Sequence, residues 1–176
     1  MEYQLLGKQQ VFHGHAFDVE LVTFRLPDGK ERTYDLVNHR GSVTLVPVDE
    51  QGNMLFVSQY RLGAGAPLLE LPAGVLEPEE DPVEGAGREL REETGMAARH
   101  LQKLGEIYLA PGYCNEHMVI YLATGLYPDP LPADMDEFLS VQAIPIAEAY
   151  RMALAGEIMD GKTLAALMLA GPQLQK

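Results

Sequence analysis

The stretch GVLEPEEDPVEGAGRELREETGM, residues 74–96, decides how the rest of the chain is read. Within it Asp81 suits an N-cap, Pro82 the first helical position, and Glu84 the acid of a capping box. Gly95 stands where a glycine ends a helix. At about 100° per residue, Val83, Ala86, Leu90 and Thr94 form one apolar stripe, and Glu89, Glu92 and Glu93 share the arc beside it. Like charges three and four residues apart destabilise a helix by about 0.2–0.5 kcal/mol each. Arg88, one turn before Glu92, offsets one of them. The others imply either a solvated acidic face or a bound cation, and donors made of oxygen alone favour a hard one such as Mg²⁺ or Mn²⁺.

Composition narrows the partners. The chain has 176 residues, 47% of them apolar, which suits one globular domain with a small appended module. Its 26 acidic residues against 13 basic ones give a net charge of −13. Such a surface repels nucleic-acid backbones and anionic lipid, so neither is expected as a partner. A phosphate-bearing substrate would need local compensation from cations or a few arginines. No apolar run reaches the length of a membrane span, and the start, MEYQLLGKQQ, lacks the pattern of a secretory signal. Cys114 is the only cysteine, which excludes an intrachain disulfide and points to a cytoplasmic setting.

Outward from the acidic helix the chain alternates β-rich runs and short helices. VFHGHAFDVELVTFRLP and ERTYDLVNHR read as one hairpin around Pro27-Asp28-Gly29. SVTLVPVDE and NMLFVSQYRL read as a second, more buried hairpin around Gln51-Gly52. Further strands are expected near 103–109, 118–124 and 137–143, and helices near 146–155 and 162–170. Strands and helices mix without regular β-α-β alternation, which predicts an α+β fold. Residues 1–40 form a small antiparallel β module and residues 41–176 the core. A lone hairpin is marginal in water, so the module should pack on the core or on a partner subunit.

The stretch 74–96 fits G-x5-E-x7-R-E-U-x-E-E-x-G-U, with U a bulky aliphatic residue, at all nine fixed positions. These are Gly74, Glu80, Arg88, Glu89, Leu90, Glu92, Glu93, Gly95 and Met96. The pattern resembles the Nudix box, the signature of Nudix hydrolases. The resemblance implies an α/β/α sandwich around a mixed sheet, and hydrolysis of a nucleoside diphosphate linked to another moiety. It makes Glu89 and Glu93 the leading metal ligands, with Glu92 a shared ligand or supporting acid and the Ala73 carbonyl a further ligand. Two or three Mg²⁺ ions per site are implied, with Mn²⁺ as an alternative. Arg88 is implied to be structural, orienting a glutamate. Glu80 is either a charge at the helix start or a group steadying a ligand. Gly85 and Gly87 depart from the family, whose members more often carry alanine there. Either the helix packs unusually close to something, or it is less stable.

Outside the box, LLELPAG, Pro111 16 residues beyond Gly95, and the DEFLSV and GEIMDGKTLAALM segments resemble ADP-ribose pyrophosphatases. That branch splits ADP-ribose into AMP and ribose 5-phosphate; GDP-mannose and other nucleotide sugars are the next candidates. By this resemblance Arg61, Glu70 and Gly74 lie on the substrate side, with a strand-end arginine and a buried structural acid as the plain alternatives for the first two. Glu116, in APGYCNEH, matches a catalytic glutamate, and Glu92 is the substitute base. Adenine would stack on Phe12, Phe17 or Tyr60, although each is expected in the core. A homodimer through the N-terminal module is implied as well. A non-hydrolysing nucleotide sensor is the rival from another class, disfavoured by the intact box. A cysteine hydrolase built on Cys114 and His117 lacks an orienting acid. His13 and His15 alternate along an expected strand without a third ligand.

Overall fold

Two neighbouring strands carry the pattern that organises the core. In β4 (Ser42–Val48) and β9 (His117–Pro128) odd-numbered and even-numbered residues go to opposite faces. Val43, Leu45, Val119, Tyr121 and Ala123 join one apolar cluster, whereas Val46, Met118, Ile120 and Leu122 join a second. Strands buried on both faces must lie inside a sandwich, and the two are paired in parallel, Val43 beside Val119 and Leu45 beside Tyr121. The computed structural model from which these contacts come describes residues 2–132 and 138–174.

These strands lie at the middle of a seven-stranded sheet. Its order is β10 (Ser140–Pro145), β5 (Asn53–Arg61), β4, β9 and β8 (Met96–Tyr108). The short β6 (Ala66–Glu70) pairs with β5, and β7 (Ala73–Val75) pairs with β4. One face is covered by α1 (Pro82–Thr94), whose Ala86 and Leu90 are fully buried in the first cluster. The other face receives α2 (Ile146–Leu154) and α3 (Gly161–Leu174), which contribute Ala149, Ala166, Leu167 and Ala170 to the second. This is the α/β/α arrangement around a mixed sheet.

The ends of α1 follow from its letters. The Asp81 carboxylate accepts the Val83 N–H at 2.8 Å, and Pro82 occupies the first turn. Gly95 adopts a left-handed φ of 72°, and its N–H donates to the Arg91 carbonyl at 3.1 Å. Val83, expected on the apolar stripe, is instead 41% exposed, because it lies in the first turn beyond the reach of the sheet.

By contact density the chain forms two compact units, Ser42–Ile107 with Met118–Lys176, and Met1–Gly41 with Tyr108–His117. The second unit holds a separate antiparallel sheet, β1 (Gln4–His13), β2 (Asp18–Arg25) and β3 (Glu31–Asn38). The sequence reading gave this region two strands. The run from Val11 to Arg25 is broken by a turn in which the Gly14 N–H donates to the Phe17 carbonyl, and its first three residues end a separate strand that begins at Gln4. Its residues before Val11 went unread because all ten residues of the strand are exposed, so no apolar alternation marks it. Phe12 and Phe17, expected in the core, are 54% and 42% exposed, with ring centroids 6.4 Å apart. The same turn separates His13 from His15, and His13 pairs with Asp18 at 2.6 Å.

Asp136 and Glu137, where the DEFLSV pattern and the strand expected near 137 begin, lie outside the described residues. Among the described residues no helix is long and apolar enough to cross a membrane.

Candidate active site

The short strand β7 and the helix α1 together build the acidic centre. β7 is fixed to β4 by the pairs Thr44 with Ala73 and Val43 with Gly74. Just before it, the Pro72 carbonyl accepts from the Leu45 N–H at 2.9 Å and the Thr44 hydroxyl at 3.0 Å. Against this anchored strand two helix carboxylates come to rest. Glu93 accepts the Ala73 N–H at 2.9 Å. Glu89 lies directly over Gly74: a Cβ built there would stand 2.0 Å from both the Cδ and Oε1 of that carboxylate. No side chain fits between them, so glycine is required by the approach itself. Both glutamates are buried, Glu89 at 8% exposure and Glu93 at 5%.

Arg88 is the hub on the outer side. Its Nε and Nη2 donate to the two oxygens of Glu80 at 2.8 and 2.9 Å. Nη1 donates to Glu89 at 2.8 Å and to Glu92 at 2.7 Å, and Nη2 also reaches the Val75 carbonyl at 3.2 Å. The hydrogen bonds to Glu80, with the nearby Glu89 and Glu92, push the Arg88 pKa up and keep it protonated. In return Arg88 holds Glu80 below the ordinary glutamate range. Glu79, next to Glu80, takes a left-handed φ of 63°, a costly conformation for a residue with a side chain. It turns the loop so that Glu80 also accepts the Glu77 N–H at 2.9 Å.

Gly85 and Gly87 now separate. A Cβ at Gly85 would stand 2.4 Å from the Leu76 Cδ2 and 3.0 Å from Glu80 Oε2. One at Gly87 would meet only Leu101, at 3.9 Å. The first glycine permits a close approach; the second only weakens the helix.

Beside the box, β5 and β6 present Arg61 and Glu70. Arg61 donates from Nε and Nη2 to Glu70 at 2.8 and 2.6 Å. Glu70 is 1% exposed, whereas the Arg61 side chain is 40% exposed. Burial opposes ionisation of Glu70, but the hydrogen bonds from Arg61 and the charge of Lys162 outweigh it and hold the carboxyl below the usual range. The bond to Glu70 raises Arg61, and Glu93 and Asp160 are near enough to add to the effect. Tyr60, expected in the core, is 58% exposed.

Sequence reasoning missed Lys162, Asp160 and Thr163. The Lys162 ammonium contacts Glu70 and lies 3.0 Å from Asp160. Asp160 caps α3, accepting the Thr163 N–H at 2.9 Å and its hydroxyl at 2.6 Å. The Thr163 hydroxyl oxygen accepts the Leu71 N–H at 2.8 Å. An acid two residues before a lysine at a helix start reads as an ordinary cap, and nothing local signals a partner 92 residues away.

Could these residues hold a metal? Among the described residues, no three His, Cys, Asp or Glu side chains form a ready-made cage. The donor chemistry nevertheless fits a hard cation, because every candidate ligand is an oxygen. Arg88 supplies one positive charge that Glu80, Glu89 and Glu92 share. The Gly74 cradle holds Glu89 against the strand that carries the Ala73 carbonyl.

Glu116 belongs to the other compact unit. Its loop is joined to the end of β3: the Val37 N–H donates to the Tyr113 carbonyl at 2.7 Å, and the Asn115 amide donates to Asn38 at 2.7 Å. Cys114 is buried, and its Sγ accepts the Glu116 N–H at 3.4 Å. His117 packs on Tyr108, ring centroids 5.0 Å apart.

The family model described as NUDIX domain matches residues 38–167. An ADP-ribose pyrophosphatase of Bacillus subtilis (strain 168) is 33% identical over 169 residues, covering 95% of this chain and 91% of that protein. An ADP-ribose pyrophosphatase of Mycobacterium tuberculosis (strain ATCC 25618 / H37Rv) is 36% identical over 170 residues, covering 95% of this chain and 82% of that protein. Among solved structures, one titled as the crystal structure of ADP compounds hydrolase superimposes with a TM-score of 0.88 at 28% identity, covering 99% of this chain and 95% of that one.

Proposed function

The chain belongs to the Nudix family, and on that footing we propose that it hydrolyses the pyrophosphate bond of ADP-ribose, giving AMP and ribose 5-phosphate. The substrate is inferred from the two similar pyrophosphatases, each matched over most of its length. The observation that carries the reading is the seat of Glu89 on Gly74 with Glu93 on the Ala73 N–H. A helix that sets two carboxylates against one strand beside a backbone carbonyl offers the oxygen donors that a hard cation takes.

Nudix hydrolases generally use a divalent metal, typically Mg²⁺. Glu89, Glu92, Glu93 and the Ala73 carbonyl are the proposed ligands, for two or three ions, with Mn²⁺ an acceptable substitute. When bound, such ions neutralise a diphosphate and acidify a coordinated water. The protein's own part is division of labour. Arg88 holds Glu80, Glu89 and Glu92 at fixed angles and remains protonated throughout. Arg61, paired with Glu70, turns its exposed side to the anionic substrate. Glu116 takes the proton of the attacking water as general base, and Glu92 is the substitute if it does not. The water oxygen bonds to one phosphorus, the bridging oxygen leaves with the other phosphate, and the two products are both phosphate monoesters.

The N-terminal sheet is proposed as the homodimer contact. Support comes from β1, which exposes Leu5, Val11 and Phe12 by half or more, and from Tyr3 just before it. A cytoplasmic location is proposed because the one cysteine, Cys114, calls for no oxidising compartment.

The deciding experiment incubates the protein with Mg²⁺ and a panel of ADP-ribose, GDP-mannose, dinucleoside polyphosphates and coenzyme A. Turnover concentrated on ADP-ribose, with AMP and ribose 5-phosphate as products, is expected. Preference for GDP-mannose would reassign the substrate, and no turnover of any compound would reject the enzymatic reading.

A further inference from the structure

Lys162 is a buried cation, at 8% exposure, that the proposed metal site does not use. A buried ammonium is costly unless paired and hydrogen-bonded. Lys162 meets that condition between two acids, Glu70 and Asp160. What makes the pairing informative is the other side of Glu70. Oε2 of this carboxylate receives both Lys162 and the Arg61 Nη2, while Oε1 receives the Arg61 Nε. Glu70 is therefore held between a cation that is buried and one that reaches solvent.

A lone arginine–carboxylate pair can swing as a unit. Here the carboxylate is tied from behind to the start of α3, and that start is itself fixed. Asp160 accepts from the Thr163 N–H and hydroxyl, and the Thr163 hydroxyl oxygen takes the Leu71 N–H. The planar guanidinium uses Nε and Nη2, one edge of its fork, on Glu70, so its remaining donors face away from that acid. Over Arg61, Glu70, Lys162 and Asp160 the formal charge is zero, with Glu70 touching both cations and Asp160 touching Lys162.

We infer that Lys162, braced by Asp160 and Thr163, is a positioning residue that locks the Glu70 carboxylate and thereby fixes the orientation of the Arg61 guanidinium toward the anionic substrate. The substrate-facing part rests on the proposed function; the locking of Arg61 does not.

The test uses the full chain and two readouts. The first is the ¹⁵N NMR signal of the Arg61 Nε–Hε, assigned by its loss in Arg61→Lys, and the rate at which that proton exchanges with water. Lys162→Met should accelerate exchange by about 10- to 100-fold, the worth of a hydrogen bond to a charged group. The double variant Lys162→Met with Asp160→Asn restores zero formal charge but not the lock, and should remain as fast. The second readout is steady-state kinetics with ADP-ribose and Mg²⁺. Both variants should raise KM about 10- to 100-fold while kcat stays within about threefold. Adding Lys162→Met to Arg61→Met should change KM no further.

Unaltered exchange in Lys162→Met overturns the inference, and so does full recovery in the double variant, which would reduce Lys162 to a balancing charge. If Lys162→Met does not fold, Thr163→Val removes the brace while keeping every charge. Faster Arg61 exchange there supports the lock, and an unchanged rate sinks it. Should the wild-type protein fail to hydrolyse ADP-ribose, the proposed function falls, while the exchange rates still decide the role of Lys162.

Discussion

Replacing the two helix glycines one at a time should move stability in opposite directions. Gly87→Ala adds a methyl group 3.9 Å from Leu101, an ordinary van der Waals contact, in a helical backbone. Nothing must move, so the variant gains the full propensity difference of about 0.8–1 kcal/mol. For a chain of this size that raises Tm by about 2–4 °C. Gly85→Ala gains the same propensity, but its Cβ meets Leu76 at 2.4 Å and the Glu80 carboxylate at 3.0 Å. Leu76 packs against the cluster that holds Ala86 and Leu90, so it cannot simply turn outward. Overpacking of this kind costs about 1–3 kcal/mol, which leaves Gly85→Ala between neutral and about 2 kcal/mol less stable than wild type. The displaced Glu80 also loosens its two bonds to Arg88, and through Nη1 the bonds to Glu89 and Glu92. Thermal unfolding of both variants, with turnover measured alongside, separates the effects. Gly87→Ala should be more stable and as active as wild type, and Gly85→Ala less stable and slower. If Gly85→Ala were as stable as Gly87→Ala, the close-approach argument for the first glycine would be wrong.

Four further outcomes are expected. Gly74→Ala forces the Glu89 carboxylate off its seat, and a displacement of about 1 Å at a reacting centre lowers kcat/KM by about 100-fold; wild-type kinetics would refute the cradle. Glu93→Gln keeps an oxygen for the Ala73 N–H, so metal-free unfolding should be nearly unchanged while turnover drops by orders of magnitude, as measured by AMP release. Glu116→Gln should lower kcat by about 10²- to 10⁴-fold with metal affinity preserved, and an unaffected kcat would transfer the base to Glu92. Glu70 and Glu80 both titrate below the ordinary glutamate value of 4.5, so their stabilisation is complete above it and is lost as pH falls through the lowered folded values. Tm should therefore hold between pH 7 and 5 and decline below, with Glu70→Gln flattening the decline; a rise in Tm on acidification would contradict the sign.

What could be read from the sequence was whatever is encoded locally. Asp81, Pro82 and Gly95 delimit α1 by cap chemistry that acts within a few residues, and the helix found is the one they predict. The spacing of Glu89, Glu92 and Glu93 put three acids on one helical arc. The part of β1 before Val11 escaped because its residues are exposed on both sides and carry no period. The choice between close packing and simple weakness at Gly85 and Gly87 needed the position of Leu76, which no periodicity supplies. The brace behind Arg61 escaped for a different reason. Glu70 and Lys162 meet only because the fold brings the end of β6 to the start of α3, and a carboxylate shared between two cations leaves no trace in either segment alone.

The charge of the molecule gives that brace its meaning. At −13 the chain repels a diphosphate at long range, but at physiological salt such a field fades over about 8 Å. Attraction must then be arranged within that distance. The acids near the box divide into two groups by what balances them. Glu70 and Asp160 are matched one for one by Arg61 and Lys162, while Glu80, Glu89 and Glu92 share a single Arg88. The first group is electrically closed and can be rigid without any ligand; the second is where the proposed metal ions would add their charge. Under the proposed function, a site split in this way would hold its arginine in place before binding and leave metal ions to meet the carboxylates together with the substrate. That order would let a chain of net charge −13 accept an acidic substrate through charges arranged at short range.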